Sequence, residues 1–257
     1  MRKIRMLATA AFLTMAPLAP AHAQVDWGPM IQSEAMGSAI AEAGREGARP
    51  RSSAPTTSFM DDLARSFSAQ TAPGPSASKA AAVTATYKPS LQVRQKLAQI
   101  MGDAAAKQSA AAGEDMRKLV LSGEAVSQYQ RVAPSMGLRA NDAVDAFAFY
   151  MLAQWGVAND YREIFTPAQV SGVRRQAANA YAGVADQLPT DALRQEFGEM
   201  LIVQGMAMSG VHETAVQNGD EATASRAAQL ARKGGAKIFT MDPTTIELTE
   251  SGFRKKG

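Results

Sequence analysis

Asn141-Asp142-Ala143-Val144-Asp145-Ala146-Phe147-Ala148-Phe149-Tyr150-Met151-Leu152-Ala153-Gln154-Trp155-Gly156 is the stretch whose reading decides the fold. Asn141 is a capping residue, and Asp142 and Asp145 place negative charge in the first turns, where the helix dipole favours it. Val144, Phe147, Ala148, Met151, Leu152 and Trp155 then recur at helical spacing as one apolar stripe, and Gly156 marks the stop. A stripe of this size must be covered by other elements, and the flanking sequence reads as more helices.

Upstream, Pro89 suits a first helical position, and Leu91, Val93, Leu97, Ile100 and Met101 follow it. Glu114 to Leu121 ends at Ser122-Gly123, and Val126, Tyr129 and Val132 mark a helix that Pro134 to Gly137 closes. Downstream, Thr166-Pro167 is a cap followed by proline, and Thr190 opens the longest predicted helix, Asp191 to Val216, with Leu193, Phe197, Met200, Leu201, Gln204, Met208 and Val211 on one face. A last helix runs from Asp220 to Lys233, and Gly234-Gly235 is read as its terminator. Ala236 to Thr240 and Thr245 to Thr249 look strand-like, with Asp242-Pro243 between them, and this tail is expected to pack on the extended entry segment Val83 to Tyr87. The predicted fold is all-α: a compact bundle of about six helices over residues 87–257 with a short strand-like C-terminal addition, preceded by a disordered linker.

That linker, residues 45–86, is rich in Ala, Ser, Thr and Pro, and Pro50, Pro55, Pro73 and Pro75 bar long helices. One island interrupts it at 58–68, where Phe59, Leu63 and Phe67 fall at i, i+4 and i+8. The island either packs on the body or serves as a tethered partner-binding helix. Residues 24–44 form a short amphipathic segment with Trp27 and Met30. Trp27, Met30, Phe59, Leu63 and Phe67 are therefore the candidate partner contacts.

Residues 1–23 have the three parts of a secretory signal peptide: basic Met1 to Arg5, apolar Met6 to Leu18, and Ala21-His22-Ala23 with cleavage expected after Ala23. The apolar run is too short to span a bilayer, so no stable membrane insertion is expected after cleavage, and the expected location is periplasmic or secreted. The net charge is +3 and the pI about 9.2. Removing Arg2, Lys3 and Arg5 leaves 24 basic and 24 acidic side chains, so the body offers little attraction to a phosphate backbone and no nucleic-acid partner is expected.

The chain has no cysteine, which excludes disulfides, thiol nucleophiles and thiolate-held metals. After cleavage, His212 is the single histidine, and it reads as a partly buried, hydrogen-bonded residue rather than a general base. Glu196 and Glu199 read as a solvated helix edge, and Asp142 with Asp145 as helix-dipole partners. Gln204, polar on a core stripe, should hydrogen-bond across to another helix, and the methionines read as core filler. No catalytic residue, metal or cofactor is assigned.

Tyr87-Lys88-Pro89-Ser90, Gly137-Leu138-Arg139-Ala140-Asn141-Asp142, Thr166-Pro167-Ala168-Gln169-Val170 and the Ile246-Glu247-Leu248-Thr249 and Gly252-Phe253 tail resemble an uncharacterised family of exported bacterial proteins with a helical domain of unknown function. The resemblance covers about 87–253 and implies export and a helical fold, with no activity attached. The function expected from these readings is that of an exported, non-enzymatic protein binding another cell-envelope protein. The alternatives are a small-ligand carrier with a pocket between helices, or a glycan- or peptide-directed hydrolase using Glu196, Glu199 or Asp145.

Overall fold

The structure is a computed structural model, and it describes residues 59–71, 83–107 and 109–256. The described residues form an all-α bundle with a short two-stranded sheet at its C-terminal end. Its eight α-helices are α1 (Phe59–Thr71), α2 (Leu91–Ala106), α3 (Ala110–Ser122), α4 (Glu124–Val132), α5 (Ala143–Ala158), α6 (Pro167–Ala182), α7 (Asp191–Gln217) and α8 (Glu221–Phe239). The sheet pairs β1 (Ile246–Thr249) with β2 (Gly252–Lys255), antiparallel. The signal-like segment, Trp27, Met30 and the linker residues 72–82 lie outside the described residues.

The bundle is built around α5. Every residue from Ala143 to Ala158 is buried, so the apolar stripe read from the sequence is only one side of a helix covered all round. α6, α7 and α8 pack against it. Phe147 meets Phe197 at 6.2 Å near one end, and Val157 clusters with Met208, Ala227 and Ala231 near the other. α5 and α7 therefore run parallel, and α8 runs against them. The cap of α5 is Asp142, not Asn141, and Gly156 lies inside the helix rather than ending it. Asn141 instead takes a left-handed turn (φ 54°) that leads into the cap.

Two other start signals hold, whereas Pro89 lies before Ser90, the cap of α2, and is not in the helix. Thr166 and Gln169 form a capping box at α6, and Thr190 caps α7. The 3.6-residue pattern also located α1, which packs on the body: Phe59, Leu63 and Phe67 are buried in the main core. Phe67 meets Phe147, Phe239 and Phe253 edge-on at 6.3, 5.6 and 6.4 Å. These three candidate contacts are core residues in this fold, because the amphipathic face of α1 is covered by its own chain.

The tail differs from its sequence reading in two ways. Gly234-Gly235 does not end α8, which continues to Phe239 and closes on left-handed Thr240 (φ 56°). A Cβ on Gly235 would sit 2.5 Å from Pro243 Cγ, so this glycine serves the close return of the chain. The hairpin also pairs with itself rather than with the entry segment, whose Thr86 bridges Asp142. Gln176 of α6 holds the outer strand as a strand neighbour would. Its amide donates to Phe253 O and accepts from Phe253 N, both at 2.8 Å. Trp155 Nε1 donates to Ile246 O at 3.0 Å, tying the inner strand to α5.

Phe67→Ala is expected to lower stability by about 3–5 kcal/mol, while Arg65→Ala on the exposed side of α1 changes it by less than about 0.5 kcal/mol; urea unfolding compares the two. In the turn before β1, the Arg232 guanidinium and then the Thr244 donors hold the Asp242 carboxyl down to about 2. A depressed carboxyl stabilises the fold above its unfolded value, and that contribution is lost as pH falls through the folded one. Stability should therefore drop between about pH 4 and pH 2, and Asp242→Asn should flatten that part of the pH profile of the urea midpoint.

Candidate functional site

Two polar clusters gather where the entry segment meets the starts of α2, α5 and α7. The first surrounds the α5 N-terminus. Asp142 Oδ1 accepts from the Val144 and Asp145 backbone N–H groups at 3.0 Å each, and its Oδ2 faces Arg139 Nη2 at 2.7 Å. Asp145 is fully buried and accepts from the Arg139 backbone N at 2.8 Å, from Arg139 Nε at 3.0 Å and from Arg174 Nε. Burial, and then the Asp145 charge, push the Asp142 carboxyl above its ordinary value. Arg139 and Arg174 both pair with the neighbouring Asp145 carboxylate.

The second cluster joins α2 to α7. Arg94 grips Glu199 with two parallel bonds, Nε to Oε2 at 2.9 Å and Nη2 to Oε1 at 2.8 Å. Gln195, one turn earlier, donates to Glu199 Oε1 at 3.0 Å and to Ser90 O at 2.9 Å, and accepts from Ser90 N at 2.8 Å. Lys96 lies 3.4 Å from Glu196 Oε2. Glu196 and Glu199 are 3% and 1% exposed, so the solvated-edge reading is corrected: both face inward because α2 crosses over that side of α7.

The entry segment links the clusters. Tyr87 N donates to Asn141 O at 3.0 Å and Ala143 N to Ala85 O at 2.9 Å. The buried Tyr87 hydroxyl makes no hydrogen bond among the described residues, and burial, then Glu199 and Asp142, hold it well above the ordinary phenol range. Tyr129 is raised by burial and then Asp145, and its hydroxyl donates to Arg139 O at 3.2 Å. Tyr181 is pushed up to about 12, mainly by burial. None of these phenols is a base near neutral pH.

Chemically, the arrangement holds charges in place. Both Glu199 oxygens accept from Arg94, and Asp145 accepts from two guanidiniums, so both carboxylates are bound within the fold. Among the described residues no group of three His, Asp or Glu side chains could hold a metal ion, and no helix is long and apolar enough to cross a membrane.

The chain matches the model of DUF6683, a family of unknown function, over residues 2–256. The chain belongs to that family. The match takes in the N-terminal segment as well as the helical body, and so extends beyond the 87–253 over which the resemblance was read. No curated protein and no solved structure matches the chain.

Other expectations fall on either side. His212 is 8% exposed with Nε2 3.3 Å from Asp160 Oδ1, a buried and partnered histidine, and Glu213 turns away toward Gln217. Gln204, by contrast, makes no hydrogen bond from either amide atom among the described residues. Met208, one turn on from Gln204, packs on Ala227 and Ala231 of α8. At the same level of the bundle, Gln154 lies over Gly234 and faces the Tyr150 hydroxyl. Sequence reading missed Arg94, Gln195, Arg139 and Arg174. The usable signal was Gln195, Glu196 and Glu199 recurring on a helix whose apolar residues already demanded burial.

Removing one partner of a buried ion pair strands the other. Arg94→Met should therefore cost about 3–5 kcal/mol in urea unfolding, and adding Glu199→Leu should restore most of it. An Arg94→Met protein of unchanged stability would mean that Glu199 reaches water.

Proposed function

We propose that this family member is an exported, non-enzymatic helical protein that binds another protein of the cell envelope. The reading is supported most by the use made of the buried carboxylates. Asp142, Asp145 and Glu199 serve a helix cap or a guanidinium, and Glu196 lies beside Lys96, which favours a structural use of these acids over the hydrolase alternative. Export is supported by the basic, apolar and small-residue succession of positions 1–23.

With Phe59, Leu63 and Phe67 in the core, the contacts to a partner fall to Trp27 and Met30 and to the exposed apolar side chains of the body. Leu91 and Leu121, 65% and 47% exposed, belong to the open end of the α2–α3 pair, where Arg94 also lies against Gly123. The carrier alternative draws on Gln154 and Gln204, whose buried amides would suit a small neutral molecule with both donors and acceptors.

The test is crosslinking of tagged full-length protein in cells, with mass spectrometry of the attached protein and of the mature N-terminus. The expected outcome is a chain beginning at Gln24 and one dominant envelope partner. Deleting residues 24–57, which leaves α1 in place, or combining Leu91→Ser with Leu121→Ser, should reduce partner yield at least tenfold. A chain that keeps Met1, or a yield unchanged by both variants, would overturn the proposal.

A further inference from the structure

α1 lies in a groove formed by α6, α8 and β2. The joint is almost wholly apolar. Phe59 meets Phe197 of α7 edge-on at 5.4 Å, Leu63 and Phe67 are fully buried, and one polar contact across it is Gln187 Nε2 to Asp62 Oδ2 at 3.4 Å. Shape contributes to the register: a Cβ on Gly183 would sit 2.6 Å from Ser66 Oγ and 3.3 Å from Ser66 Cβ, so this point of the joint favours small residues on both sides. The groove therefore reads a pattern, Phe-x3-Leu-x2-Ser-Phe, and reads it as a helix. A 13-residue helix has little stability alone, so α1 is held as a helix by its docking.

Nothing in this recognition depends on α1 belonging to the same chain. Pro50 and Pro55 precede it, Pro73 and Pro75 follow it, and with no cysteine no disulfide locks it in place. We propose that the α6–α8–β2 groove also accepts α1 from a second copy of this chain, giving a reciprocally exchanged dimer. Every contact of the closed form is kept in such a dimer, and the segment preceding α1 travels with it onto the other molecule. Residues 72–82 reach about 36–40 Å at full extension, which sets the local concentration of α1 at its own groove on the order of millimolar. The closed monomer therefore dominates in dilute solution, and the exchanged form gains as protein concentration approaches that value.

The test uses two populations of full-length protein, singly labelled through Arg65→Cys (donor, α1) and Arg175→Cys (acceptor, α6), both exposed positions. They are mixed at several hundred micromolar, warmed to the onset of melting, cooled, and read by light scattering and energy transfer. The expected result is a species of twice the monomer mass showing donor–acceptor transfer. Transfer should fall at least tenfold when both populations carry Leu63→Asp and, separately, when both carry Gly183→Val. Each variant is first checked for native circular dichroism, and Ser66→Leu replaces either one that does not fold. Monomer mass throughout, or a dimer that survives these changes, overturns the proposal; the second result would place the interface elsewhere, as at Leu91 and Leu121.

Discussion

A helix with no face to solvent must find partners for its ends inside the protein, and most of this structure follows from that demand at α5. Its first N–H groups are met by Asp142, and its last carbonyls by the Asn159 and Tyr161 backbones and the Asn159 amide. Asp145, one turn in, has no water to stabilise it. It is paired instead with Arg139 from the preceding loop and Arg174 from α6. These two arginines fix the position of that loop and the rotation of α6 relative to α5. Once α6 is fixed, Gln176 faces the hairpin, and the close approach of Gly172 to the Ser251-Gly252 backbone becomes possible.

The same end of α5 also organises the α2 side. Thr86 bridges Asp142, which brings Tyr87 against α7 and delivers Ser90 to Gln195 and Arg94 to Glu199. The two polar clusters are thus successive consequences of one cap, and both face Tyr87, whose hydroxyl is held above its ordinary range by burial and then by Glu199 and Asp142. Such clusters add less net stability than their short distances suggest, since desolvation offsets much of the attraction. Their larger effect is to make one register of the bundle better than its neighbours.

The helices were legible because caps and apolar spacing are local. Thr166-Pro167, Thr190 and Asp220 name helix starts without reference to the rest of the chain, and Phe59, Leu63 and Phe67 disclose one face of α1. What the local signals do not carry is which polar residue is turned inward. Glu196 and Glu199 look like ordinary surface acids until α2, about a hundred positions earlier in the chain, is known to cross them. The Gly234-Gly235 pair misled for the same reason: in a helix it lowers propensity, but here the turn at Pro243 passes too close for a side chain at Gly235. The self-paired hairpin was hidden because Ala236 to Thr240 has β-branched and aromatic character yet continues a helix held by tertiary packing.

The position of Phe253 has a consequence for timing. Its ring lies against Phe67, Trp155 and Phe239, so side chains from the first described helix and from the centre of the bundle meet one from the end of the chain. A chain emerging from the ribosome can form α5 and α6 early, but it cannot close this aromatic centre until β2 has been made. Contacts between such distant positions form slowly, because a long loop must be closed before they are rewarded. On the export route proposed above, that delay is useful: a polypeptide whose core waits for β2 stays threadable through a narrow channel until that strand has followed the helices.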